Sequence, residues 1–315
     1  MNKAVKSIIL FAVLICGLLV ALSCQDNPTK SNIAENITTE KSEPGNTLPA
    51  QPLSKEFNDY WYAGKAEITS YKLEQARYGQ IREGTAVMVF VTEDFLPEVQ
   101  VKADGYSKEN IKVLKLNATK NFNTGIYPYS IMQSTFFPVS NNQHAIKISA
   151  SVQEWCGQVY AQLNNREQFE VMSHSYFQSE ADENFRLNKT RTENELWTKL
   201  RIDPKSLPTG EIEIIPSIEY TRLKHVPIQK YRTIAKLNDG KYSLTYPELK
   251  RELSIEFNSE FPHEINGWTE SMVSGYDATA KKLSTKATKI KTIKSAYWNK
   301  NSNADEGLRT ELGLD

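Results

Sequence analysis

From Phe57 onward the chain is dominated by short runs in which apolar and polar residues alternate, rich in β-branched and aromatic side chains. A period of two puts successive side chains on opposite faces of a strand. In 145–153 the alternation is unbroken: Ile146, Ile148, Ala150 and Val152 face one way, and Lys147, Ser149, Ser151 and Gln153 the other. One buried face and one wet face is what an antiparallel sheet produces. The same pattern predicts strands at 61–78, 85–92, 98–103, 111–122, 130–137, 159–163 and 169–177 in the first half. In the second half it predicts them at 211–223, 228–237, 242–246, 252–257, 265–272 and 288–298, with Asn238-Asp239-Gly240 as a hairpin signal. Helical character is confined to 193–201, where Thr190 and Thr192 each stand three residues before a glutamate, and Pro204 ends the run. The expected fold is all-β and mainly antiparallel with one short helix. It is either a large curved sheet, an open barrel, or two β-lobes with a boundary near 190–208. There is no internal repeat.

The first fifty residues follow different rules. Lys3 and Lys6 precede an apolar run from Ile8 to Leu22, shorter than the roughly 20 residues that span a bilayer. The run ends Val20-Ala21-Leu22-Ser23-Cys24, which resembles the lipobox of bacterial lipoproteins, in which the thiol is acylated and the bond before it is cut. Residues 1–23 are therefore read as a signal peptide and Cys24 as the lipidated first residue of the mature chain. Cys16 follows the bulky Ile15 and fits the pattern less well. Residues 24–54 then turn to Asn, Thr, Ser, Pro, Glu and Lys, which cannot bury enough surface to offset ordering entropy; they read as a disordered tether. The globular region is 55–315.

Charge sharpens this division. The 315-residue precursor has 38 basic and 38 acidic side chains, so the basic surplus that phosphate binding draws on is missing and no nucleic-acid partner is expected. Loss of Lys3 and Lys6 with the signal would leave the mature side chains two charges negative. Of three cysteines, too few for a disulfide framework, one would leave with the signal and one would carry lipid. Cys156 alone remains.

Catalytic spacings are few. There is no G-x-G-x-x-G, C-x-x-C, H-E-x-x-H or G-x-S-x-G, and nothing implies a cofactor or a metal site. Within Gln153-Glu154-Trp155-Cys156-Gly157 the thiol is read as a small hydrophobe buried beside Trp155. The alternative is a nucleophile served by His144 or His174 from neighbouring strands. Aromatic residues crowd the first half, and Trp61, Tyr62, Tyr127, Tyr129 and Trp155 are candidates for an apolar binding site, or else ordinary core. From 278 to 304 seven lysines occur without an acid; they suit either an edge strand kept soluble by charge or a surface facing anionic lipid.

The runs Trp61-Tyr62-Ala63-Gly64-Lys65-Ala66-Glu67-Ile68 and Tyr71-Lys72-Leu73-Glu74-Gln75-Ala76-Arg77-Tyr78-Gly79, with the Cys156 segment, resemble an uncharacterised lipoprotein family of Bacteroidota-type bacteria. Such chains can carry a septum formation inhibitor Maf label. The S-x-S-P-R-R motif of Maf pyrophosphatases is missing here, so that activity is not implied. The leading expectation is a non-enzymatic envelope lipoprotein, lipid-anchored in the outer membrane, whose β-domain binds a lipophilic ligand or an envelope partner. The competing one is a cysteine-dependent hydrolase or transferase acting on envelope material.

Overall fold

A computed structural model describes residues 53–140 and 143–315, so the lipobox with Cys16 and Cys24, and nearly all of the tether, lie outside the described residues. Leu53 and Ser54, read as the end of the tether, belong to the fold. Leu53 packs on the core, and the Ser54 hydroxyl accepts from Phe57 N at 3.0 Å to start helix α1 (Lys55–Trp61), which buries Phe57 and Trp61. Trp61 therefore closes a helix, and the strand expected from 61 begins at Ala66.

Sixteen strands among the described residues form one sheet. The first meander comprises β1 (Ala66–Arg77), β2 (Gln80–Leu96), a short spur β3 (Val101–Lys102), β4 (Ile111–Thr124), β5 (Tyr127–Pro138), β6 (Lys147–Glu154), β7 (Gly157–Asn165), β8 (Phe169–His174) and β9 (Asp182–Leu187). The second comprises β10 (Arg191–Thr192), β11 (Gly210–Ile215), β12 (Tyr231–Asn238), β13 (Lys241–Tyr246), β14 (Arg251–Phe257), β15 (Ile265–Ser274) and β16 (Lys281–Ser295). Antiparallel pairing of β16 with β1 fuses the two, so this is the large curved sheet and not a pair of lobes. Only β10 with β11 is parallel. The expected strand faces hold: Ile148, Ala150 and Val152 of β6 are buried, and Asp239-Gly240 turns β12 into β13.

The curvature follows from connectivity. The sheet's two edges are β9 and β10, adjacent in sequence. Four Cα steps from Leu187 to Arg191 span at most about 15 Å, so the sheet must curl until its edges nearly meet. Its inner face wraps α2 (Glu193–Ile202) and α3 (Ile218–Lys224). Leu196 and Leu200 of α2 share one core with Phe90, Leu116, Tyr246, Leu253 and Trp268 from both meanders. Thr192 caps α2 in a reciprocal box with Glu195, as its spacing predicts. On the outer face α4 (Gly307–Glu311) leads Leu312 and Leu314 onto Ala66, Ile68, Val91 and Ile293.

Three expectations are corrected. The strand at 211–223 splits after Ile215: Pro216 offers no ladder donor, and Ser217 accepts from Tyr220 N at 3.2 Å to cap α3, so helix is not confined to 193–201. The lysine-rich stretch is not an edge strand, because β16 lies between β15 and β1; exposed Lys282 and Lys286 alternate with inward Thr285 and Ala287. Strand β9 has no counterpart in the expected set, since its exposed polar run lacks alternation.

Candidate functional site

Polar groups inside the curl form an interlocked lattice around the two helices. Arg251 on β14 donates through Nη1 and Nη2 to both carboxylate oxygens of Glu193, and its Nε donates to Glu270 at 2.6 Å. The Tyr246 hydroxyl completes Glu193 at 2.7 Å. Lys120 on β4 donates to Glu219 of α3 at 2.7 Å, and Gln133 donates to the other oxygen at 2.8 Å. Asn194 joins the helices: its amide donates to Gln133, and its Oδ1 accepts from Ile218 N at 3.2 Å. At the far end of α2, Arg201 grips Glu67 of β1 bidentately at 2.5 and 2.7 Å, and Tyr60 donates to the same carboxylate. Burial penalises all these charges. For Glu67 and Glu270 it pushes the carboxyl up, but the facing arginine together with Tyr60 and Lys294 at Glu67, and with Lys120 and Lys224 at Glu270, outweighs it, and both end below their ordinary value. Arg201 and Lys120 are likewise held charged by their carboxylates against burial. The void beside the lattice is only about 50 Å³, room for water and not for a substrate. Every charge there already has a partner, so the lattice fixes the helices.

A second space is of ligand size. Between α3, the chain after it and the inner face of β6–β9 lies a cleft of about 690 Å³. Register explains it. The cross-strand pairs Ala150↔Ala161 and Val152↔Val159 form its floor, one step from the larger pair Ile148↔Leu163 that belongs to the core. Small side chains at two successive inward positions leave volume unfilled. Phe185 and Leu187 of β9 supply one wall, and Ile218, Val226 and Ile228 the other. Helix α3 stops after seven residues at His225, whose backbone is left-handed with φ 53°, and the chain then leaves through Pro227. Polar groups gather at this end: Arg222, His225, Glu180 and Glu183. Glu180 is held by Ser175 Oγ and His225 Nδ1, each at 2.5 Å. Arg222 is 9% exposed and lies over the Phe177 ring at 4.3 Å, and its Nε has no hydrogen-bond partner.

The candidate residues from the sequence lie elsewhere. His144 precedes β6 and pairs with Glu195, whereas Cys156 follows β6; eight residues of strand put about 26 Å between those ends. His174 pairs with Asp182 and sits opposite Tyr160, about 13 Å along the strand from Cys156. The thiol itself is exposed, as is Trp155, so the expected burial is corrected: both occupy the β6–β7 hairpin turn, not the core. A hydrogen bond to Glu154 raises the thiol above its ordinary value, which opposes thiolate chemistry. The aromatic candidates divide between opposite rims. Trp61 is buried against Phe90 and Tyr62 half-exposed before β1, whereas Tyr129 meets Arg77 and Tyr78 at the other end of β1, with Tyr127 and Trp155 beside it. Tyr127 stands 6.0 Å from Tyr129 and 6.4 Å from Trp155 between ring centroids. None of the five lines the cleft. Arg222 and its neighbours went unseen because 211–223 reads as strand; the signal was Ser217 as a helix cap, with Arg222 and Lys224 in the last turn.

Among the described residues no helix is long and apolar enough to cross a membrane, and no group of His, Cys, Asp or Glu could hold a metal ion. No family model and no curated protein matches the chain. Among solved structures it is similar to a β-barrel-like protein of domain of unknown function DUF1849 from Brucella abortus. The identity is 7% and the TM-score 0.42, over 73% of this chain and 96% of that one.

Proposed function

We propose that the chain is a non-enzymatic envelope lipoprotein of Bacteroidota type, held at the outer membrane by acyl chains on Cys24, whose β-domain binds a lipophilic ligand. The observation that carries the reading is the cleft of about 690 Å³ between α3 and β6–β9, with its floor of alanine and valine. Its size falls within the 300–1,000 Å³ of small-molecule sites, and its lining combines apolar walls with a few polar groups at one end. That form favours a ligand over a protein partner as occupant. The anchoring half of the proposal rests on the order of charge, apolar run, small residue and cysteine before residue 25.

The two halves are tested separately. Labelled palmitate should follow the full-length chain to the outer-membrane fraction and be lost in Cys24→Ala. Native mass spectrometry of the detergent-extracted chain should show a copurifying lipid that Ala161→Trp, which fills the floor, excludes. A lipid retained at equal occupancy in Ala161→Trp would overturn the cleft as its site.

A further inference from the structure

The cleft's polar end specifies more than an apolar ligand. Arg222 is a donor-only group, nine-tenths buried, that lines the cleft with its Nε unpartnered. Its Nη1 lies 3.4 Å from His225 Nε2 and 3.9 Å from Glu180, its one ion-pair neighbour, which is already engaged by Ser175 and His225. A buried donor left open costs about 1–3 kcal/mol unless an acceptor reaches it. The part of the guanidinium that lines the cleft is where an occupant's acceptor would bind. The same end also carries the inward carboxylates of Glu180 and Glu183, while Asp182, in the outward row of Ser151, Tyr160 and His174, faces away. Asp182 pairs there with His174 at 3.2 Å; Glu183, on the exposed edge strand, is paired in register with Ser173 in the row that begins Ala150↔Ala161. A purely anionic head would meet these acids, and a purely cationic one would leave Arg222 unsatisfied.

Resting on the reading above, we infer that the ligand is a zwitterionic amphiphile whose phosphate accepts from Arg222, whose ammonium faces the carboxylates at the mouth, and whose acyl chain lies on the Ala150, Val152, Val159 and Ala161 floor. Arginine suits phosphate because its planar fork presents several donors at once. The ring of Phe177 fixes the guanidinium from one side, so the fork is already oriented when the ligand arrives.

The test is a native mass spectrometry titration of the full-length chain in non-ionic detergent with three probes of equal acyl length: lysophosphatidylethanolamine, lysophosphatidic acid and monoacylglycerol. The expected result is that lysophosphatidylethanolamine binds at least tenfold more tightly than either of the others. Arg222→Gln should bring it down to the monoacylglycerol level while leaving monoacylglycerol binding unchanged. Glu183→Gln should narrow its advantage over lysophosphatidic acid. Should Arg222→Gln fail to fold, by circular dichroism and thermal unfolding, Arg222→Lys keeps the charge but loses the Nε donor and the fork, and should show the same loss. Equal binding of all three probes, each still excluded by Ala161→Trp, would overturn the head-group inference and leave the cleft reading standing. Binding that Ala161→Trp does not affect would overturn both.

Discussion

Removing the guanidinium of Arg201 is the sharpest test of how the helices are held inside the curl. Its side chain and that of Glu67 are each 1% exposed, and they meet through two hydrogen bonds that tie the end of α2 to β1. Arg201→Met roughly keeps the volume beside Trp61 and Phe90 but leaves the Glu67 carboxylate with Tyr60 as its remaining direct donor. Breaking one side of a buried pair costs about 3–5 kcal/mol, since the other charge stays desolvated. With a urea dependence of about 3 kcal/mol per molar, the unfolding midpoint should fall by about 1–1.7 M at pH 7. Tryptophan fluorescence reports the transition through Trp61, which lies against Arg201.

The pH dependence gives an independent reading. In the folded protein the Glu67 carboxyl lies below its ordinary value of 4.5, so its contribution is present above that value and is lost as pH falls through the folded one. Without Arg201 the largest influence on Glu67, burial, is no longer offset by its main partner, and the carboxyl should move up. The variant is then penalised at neutral pH and relieved on acidification, so the gap between the two proteins should narrow from pH 7 towards pH 4.5. Glu67→Gln combined with Arg201→Met should recover most of the loss, because no charge remains buried. A single variant within 1 kcal/mol of the parent at pH 7, or a double variant no better than the single, would refute the argument.

Other regions give simpler expectations. Gly84→Ala places a methyl against the carbonyl of Asn121 on the neighbouring strand, so the thermal midpoint should drop and β2–β4 amides should lose hydrogen-exchange protection first. Leu312→Ala should cost about 2 kcal/mol by uncovering Ile68 and Val91, read as a lower urea midpoint with an unchanged slope. Native protein should be alkylated at Cys156 without denaturant, slowly at pH 8, and Glu154→Gln should quicken the reaction by removing the hydrogen bond that raises the thiol; peptide mapping after iodoacetamide follows both.

The legible part of this fold was the part where burial is one-sided. Strands such as β6 announce themselves because one face meets the lumen and the other meets water. The lysines of β16 misled for a related reason: a strand can be central in its sheet and still have a wet outer face, so charge on alternate residues marks the face and not the position in the order. Helix α3 was hidden because it lies wholly inside, where Ile218, Tyr220 and Leu223 are buried beside Glu219 and Arg222, and no polar stripe remains to reveal a helical period. The cleft could not be read at all in one dimension. It depends on Ala150 and Ala161 being opposite each other, which only the β6–β7 register decides.

That register also explains why the space opens where it does. The edges β9 and β10 are drawn together by a connection of three residues, yet among the described residues no ladder joins them, so nothing from the sheet itself closes the lumen there. Filling falls to the helices. Helix α2 spans ten residues and reaches both meanders, which leaves its surroundings nearly void-free. Helix α3 has seven residues, and its last turn bends away at His225 before it has covered β6 and β7. Past that point the inward residues are alanine and valine, too small to meet the opposite wall. A cleft with an apolar floor, an open side along β9 and the helix's final arginine at its end follows from one short plug in a sheet that curls without closing.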